Sequence, residues 1–391
     1  MMGQGWRRLA SVVIAAAAFG AIGLGGPSAH ADQNVVPDAE FQSCLNTVLG
    51  QSADAAITVE QLNTIGGVVN CSARDVKSVE GAEFLINVAW LSLSGGQIGD
   101  TTPIAKLASS TNLVKLYLGG NRISNIAPLA AFGHSTSLVD LDLGQNQISD
   151  ITALASLASA KALTTLRLNY NQIADVSPLS GLTSLDDLEL SHNQISDVTP
   201  LGGLTNLSVL FVSNNRISDV KPLSRLVHLR SLGIYSNQIS DVSSLASLPA
   251  CPSGILALGQ TVTLPPMAVP GTFASPVVST PGEPIEMIAE PGPVSINQDG
   301  TITVTRAGTV KLDWDTTDFE SRGHYFSGTL IVTIGETPSA TPAPDTPSVP
   351  PSPPPTEVGS SHGVLTMVII GLAVVVVGAV FLLVRRSSKK K

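Results

Sequence analysis

Two pairs of carboxylates, Asp140 with Asp142 and Asp187 with Glu189, are the residues of this 391-residue chain whose type and spacing could do chemistry. One leucine separates the members of each pair, so on an extended strand both acids face the same way. Such a pair could do acid–base work on a glycan, although a solvated acidic surface is the commoner reason for the pattern. Nothing else supports catalysis. Of the six histidines, His30 and His362 fall in terminal segments, and no His-x-x-x-His, Cys-x-x-Cys or Gly-x-Ser-x-Gly spacing occurs. Residues 54–60 begin like a calcium loop, but Ala55 stands where glycine is needed and Gln61 where the chelating glutamate belongs. No enzyme activity, cofactor or metal is therefore expected.

What positions the acids is a repeat. Leu141-Asp142-Leu143-Gly144-Gln145-Asn146-Gln147-Ile148 is one copy of the template Leu-x-Leu-x-x-Asn-x-Ile. The asparagine recurs at Asn121, Asn146, Asn171, Asn193, Asn215 and Asn237, in steps of 25, 25, 22, 22 and 22 residues. A fixed period in this range marks a solenoid. Worn copies place Gly96 and Arg74 at the asparagine position, and Leu256-Ala257-Leu258 reads as a last strand whose asparagine and isoleucine are lost. The alternation in Leu-x-Leu turns the leucines inward and the residues between them outward, so stacked copies build a parallel sheet with one buried face. The asparagine amide satisfies backbone groups where the chain turns. Pro200 in the returning segment excludes a long helix there. The three extra residues of the long repeats, as in residues 130–135, fall in that convex return.

The outward residues are then legible. Aromatics lie at both ends of the array and charges lie between them, and Tyr and Trp are favoured anchors at protein interfaces. Candidate partner-binding residues are Trp90, Lys115, Tyr117, Asp142, Arg167, Asp187, Glu189, Phe211 and Tyr235. Five strand spacings put Trp90 and Phe211 roughly 24 Å apart, a span suited to a folded partner and large for a metabolite. The ordinary alternative is that Trp90 packs under a cap and the rest are scattered exposed apolar residues.

The flanks place the array in a compartment. Arg7 and Arg8, an apolar run and Ala29-His30-Ala31 make residues 1–31 read as a secretory signal peptide. Residues 364–384 carry no charge and are long enough for a transmembrane helix. The basic tail 385–391 puts that end in the cytoplasm and the rest outside, as a single-pass membrane protein. Residues 336–363 form a Pro-rich stalk. The whole chain carries a net charge of −9, and its exported part is more acidic still, which excludes a nucleic-acid binder. In an oxidising compartment Cys71, at a buried leucine position, and Cys44, in the segment before it, are expected to form a disulfide; the alternative is two buried thiols. Cys251 reads as a free thiol.

Residues 32–68 read as a helical cap, with Pro37 and Asp38 starting one helix and Thr58 another, ahead of repeats over 69–261. Residues 262–335 change to short alternating runs, with a turn at Gln298-Asp299-Gly300 and Trp314 and Phe326 as core aromatics, which suits a small β-sandwich.

The run Asn-Gln-Ile-Ser-Asp-Val-Thr-Pro-Leu at 193–201, its near copy at 215–223, the cap and the entry Gln260-Thr-Val-Thr-Leu-Pro-Pro266 resemble the internalin family of Gram-positive surface proteins. The resemblance implies a leucine-rich-repeat solenoid with parallel β strands on its concave face, an N-terminal helical cap and a C-terminal Ig-like β-sandwich. It also implies a non-enzymatic adhesin or receptor that engages a protein partner on the concave face. Pro353-Pro354-Pro355-Thr356-Glu357 lacks the leucine and glycine of the family's wall-sorting motif, which favours a retained membrane helix. The rival readings are a structural envelope protein without a specific ligand, and a glycan-binding or glycan-cleaving protein.

Overall fold

The computed structural model describes residues 34–248, 255–268, 271–277, 287–289, 294–297, 301–315 and 325–335. The expected signal peptide, stalk, membrane span and basic tail lie outside the described residues, as do Cys251 and the turn at 298–300. Among the described residues no helix is long and apolar enough to cross a membrane.

Two helices come first. Helix α1, Ala39–Leu49, starts where the Asp38 carboxylate accepts from the Phe41 amide, and it stops at Gly50, whose φ of 69° suits glycine. Helix α2, Val59–Thr64, starts in a capping box made by Thr58 and Gln61. Phe41, Leu45 and Leu62 are buried and continue the core of the repeats. Cys44 of α1 is bonded to Cys71, with the Cα atoms 5.7 Å apart, so the expected disulfide ties α1 to the first repeat.

Strands β1 (Gly66–Asn70), β2 (Asn87–Ser92), β3 (Lys115–Tyr117), β4 (Asp140–Asp142), β5 (Thr165–Arg167), β6 (Asp187–Glu189), β7 (Val209–Phe211), β8 (Ser231–Gly233) and β9 (Ile255–Ala268) stack in chain order, each parallel to the one before. β1 crosses the 68/69 boundary expected between cap and repeats. Leu91, Leu116, Leu141, Leu166, Leu188, Leu210 and Leu232 are in register, and none is more than 1% exposed. The chain returns through 3-10 turns, which span Ala127–His134 and Thr152–Ser159 in the long repeats but only Thr199–Gly203 and Lys221–Arg225 in short ones. The extra residues therefore lengthen the convex side, and Pro200 sits in the first turn of its segment, where no amide bond is lost.

The asparagines form a ladder. Asn171 Nδ2 donates to the carbonyls of Leu143 and Leu168 at 3.0 and 3.1 Å, while its Oδ1 accepts from the Ile148 amide at 3.0 Å. Each Asn thus closes its own turn and links two repeats. The C-terminal end departs from expectation in register. Leu232 pairs with Ile255, so Ala257 points inward and Leu258 outward, one residue out of step with the Leu256-Ala257-Leu258 reading. A slip of one residue exchanges the two faces of a strand. In the true register Gln260 occupies the asparagine position, donating to the Ile234 and Ala257 carbonyls and accepting from the Ile239 amide. The ladder is substituted there and not lost.

β9 runs on beyond the repeats, and the sheet runs on with it. Strand β10 is Gly271–Ala274, β11 is Ile288–Ala289, β12 is Val294–Ile296, β13 is Thr301–Val304, β14 is Gly308–Asp315 and β15 is Tyr325–Gly335. β15 pairs with β9, β14 with β15 and β11 with β14, while β10, β13 and β12 make a separate three-stranded sheet. Trp314 and Phe326 are both buried, their rings edge to face with centroids 5.6 Å apart.

Candidate partner-binding face

Register sorts the outward side chains into rows across the strands. The first row runs Val68, Trp90, Lys115, Asp140, Thr165, Asp187, Val209, Ser231, and the second runs Ser92, Tyr117, Asp142, Arg167, Glu189, Phe211, Gly233. Every residue singled out on the strands lies in one of these rows except Tyr235, which follows two residues beyond Gly233.

At the N-terminal end Trp90 and Tyr117 meet edge to face with centroids 5.6 Å apart, and the Lys115 ammonium stands 5.5 Å from the centre of the Trp90 ring. Val68, more than half exposed on β1, extends this patch. The indole Nε1 of Trp90 is buried without a hydrogen-bond partner.

The centre is organised by Asp140, one of the outward acids but not among the residues expected to bind. It is buried, its Oδ2 accepting from the Tyr117 hydroxyl and its Oδ1 from Arg167 Nη1, each at 2.6 Å. Burial, then the bond to Asp140 and the charges of Asp140 and Asp142, push the Tyr117 phenol up to about 12 against the opposing charge of Arg167. Burial alone would disfavour the charge on Arg167, but Asp140, Asp187 and Asp142 outweigh it and hold the guanidinium pKa above its usual value. Burial raises the carboxyls of Asp142, Asp187 and Glu189 above the ordinary carboxylate range. Asp142 accepts from the Gly144 amide at 2.9 Å and Glu189 from the Ser191 amide at 3.0 Å, which opposes the rise without cancelling it.

At the C-terminal end the Phe211 ring lies over Gly233. A Cβ there would stand 2.5 Å from Phe211 Cδ1, so glycine is what lets the ring lie down on the next strand. Tyr235 and Leu258 are exposed beside it. No ring contact joins Phe211 to Tyr235 among the described residues.

A third feature lies along the lip of the sheet. Tyr170 and His192 occupy the position before the ladder asparagine, at φ of 54° and 57°, and stack with centroids 3.9 Å apart. Asn214, at the same position one repeat on, reaches His192 Nε2 at 3.2 Å. The signal was present in the sequence as aromatic side chains at one template position in successive repeats.

A family model described as Leucine Rich repeats (2 copies) matches residues 111–156, 161–203 and 205–247. The chain is 36% identical to internalin C2 of Listeria monocytogenes, covering 55% of this chain and 91% of that one, with a TM-score of 0.50. It also matches an internalin, InlF, of the same organism at 25% identity, over 60% and 87% of the two chains, with a TM-score of 0.32. No curated protein matches. The repeat match, the asparagine ladder and the 36% identity to nearly all of internalin C2 agree, and by these the chain belongs to the internalin family.

Proposed function

We propose that this chain is a surface-displayed, non-enzymatic binding module that engages a protein partner on the concave face of its repeats. The observation that carries this is the division of labour along the strands. The leucines are consumed by the core, while the residues between them form a continuous face with an aromatic patch at each end and half-buried charges at its centre. Interfaces draw their energy from a few such aromatic and arginine anchors surrounded by excluded water. The anchors proposed are Trp90, Tyr117, Phe211 and Tyr235, and Lys115, Asp142, Arg167, Asp187 and Glu189 set orientation and specificity. The two helices serve as a cap over the first strand's open edge, and the strands after the repeats serve as an Ig-like spacer, carried on a stalk above a single C-terminal membrane helix. The glycan-cleaving alternative is less favoured because Tyr117 and Arg167 both hold Asp140.

The test is binding. Once a cell-surface or matrix protein retained by the chain is identified, replacing Phe211 and Tyr235 together by serine is expected to weaken its affinity about tenfold or more. Unchanged affinity by biolayer interferometry removes the concave face from the account.

A further inference from the structure

A cavity of about 440 Å³ lies along the lip of the sheet. Five successive repeats line it, ending at Asn169, which makes it roughly 19 Å long at the usual strand spacing. Gly119 and Gly144 shape its floor. A Cβ on Gly144 would stand 2.5 Å from Asn169 Oδ1, and one on Gly119 would stand 3.1 Å from Asp142 Oδ2. Each glycine is therefore a seat on which a planar polar group of the next repeat lies down. The Asp142 carboxylate accepts from the Gly144 amide. The Asn169 carboxamide has no hydrogen-bond partner among the described residues.

An aromatic ring stands at the Asn169 end. The lip positions Gln145, Tyr170 and His192 follow one another from repeat to repeat, and Gln145 lines the cavity. Tyr170 gives one ring face to His192, with centroids 3.9 Å apart and 10° between the planes. Its other face is thus turned toward Gln145 and the cavity, and the residue is half exposed.

Three properties select the ligand. Asp142 and Arg167 line the cavity together, so neither an anion nor a cation is favoured. Planar amide and carboxylate groups set donors and acceptors side by side, which suits hydroxyls, since each hydroxyl both donates and accepts. The free face of Tyr170 adds an apolar plane. A pyranose ring carries both complements, hydroxyls at its edge and a C–H face. We propose that this cavity binds a neutral oligosaccharide, one sugar ring lying against Tyr170 with its hydroxyls on Asn169, Gln145 and Asp142. The site is additional to the protein-binding face and does not depend on it.

A glycan array probed with the labelled full chain tests the assignment, and binding to neutral oligosaccharides is the expected result. For the best of them, Tyr170→Ala and Asn169→Ser should each lower affinity about tenfold or more in titration calorimetry. Tyr170→Phe keeps the ring and drops the hydroxyl, so its affinity should stay within about twofold of the parent. Ala73 and Ser191 hold the same template positions in other repeats, so the array accommodates both replacements. The assignment is overturned by an array without neutral binders, or by binding confined to anionic glycans. It is equally overturned if affinity survives Tyr170→Ala or Asn169→Ser, or if Tyr170→Phe is as damaging as Tyr170→Ala. Replacing Phe211 and Tyr235 by serine should leave saccharide affinity intact; an equal loss there would move the sugar to the C-terminal patch and discard the lip site.

Discussion

Asn171 shows how much of this molecule is decided by single side chains. Its amide closes two carbonyls and its oxygen takes one amide, all in the interior. Asn171→Ala orphans the Ile148 amide and takes one of two asparagine donors from each of the Leu143 and Leu168 carbonyls, which keep Asn146 and Asn193, so chemical denaturation should report a loss of about 2 kcal/mol. Thr101 makes the opposite case. It occupies the position held by Ile126, Ile151 or Val176 in later repeats, is fully buried, and its hydroxyl lacks a partner. Thr101→Val keeps the shape and removes the orphaned group, so the free energy of unfolding should rise by about 1 kcal/mol. The template predicted both positions, because periodicity assigns each residue a depth. It could not predict that Asp140 would be the bonded acid, since that depends on which neighbours lean toward it across two strands.

At the scale of elements, the opening helices depend on one covalent tie. The Cys44–Cys71 bridge spans 27 residues, enclosing the turn between α1 and α2 and all of β1. Replacing both cysteines by serine should destabilise the chain by about 3.5 kcal/mol on loop-closure grounds. The loss should appear first as faster hydrogen exchange in α1 and β1, because the bridge joins α1 to the residue that follows β1. At the other end Gln260 does the work of an asparagine and β9 passes straight from the repeat sheet into pairing with β15.

At the scale of the whole molecule, the concave face is built at the expense of stability. Asp187 and Glu189 have carboxyl pKa values raised by burial, so the folded chain holds their protons more tightly than the unfolded one. Their contribution to stability is full below the unfolded carboxylate range and is lost as pH rises through the folded values. Asp100, Asp150 and Asp197 titrate in the other direction, lowered by bonds to Thr102, Thr152 and Thr199, so the total curve mixes both signs. Comparing the chain with its Asp187→Asn, Glu189→Gln variant isolates the pair. Scanning calorimetry should find the variant more stable at neutral pH, with the difference shrinking as pH falls and gone by about pH 3. A variant no more stable than the parent at neutral pH would show that these acids are not strained by burial.

The sequence by itself determined the inward leucines, the ladder positions, the rows of outward residues and the helix starts at Asp38 and Thr58. All of these follow from spacing along the chain and from hydrogen bonds between residues a few positions apart. Only the tertiary structure decided that Tyr117 and Arg167 share Asp140, that Phe211 lies down over Gly233, and that Tyr170 stacks on His192. It also decided that the last strand is paired one residue out of the step its leucines suggest. Each of these joins side chains about one repeat apart or more, and each is set by which groups lose water together. The period of a repeat records which way a side chain points; it does not record what that side chain meets.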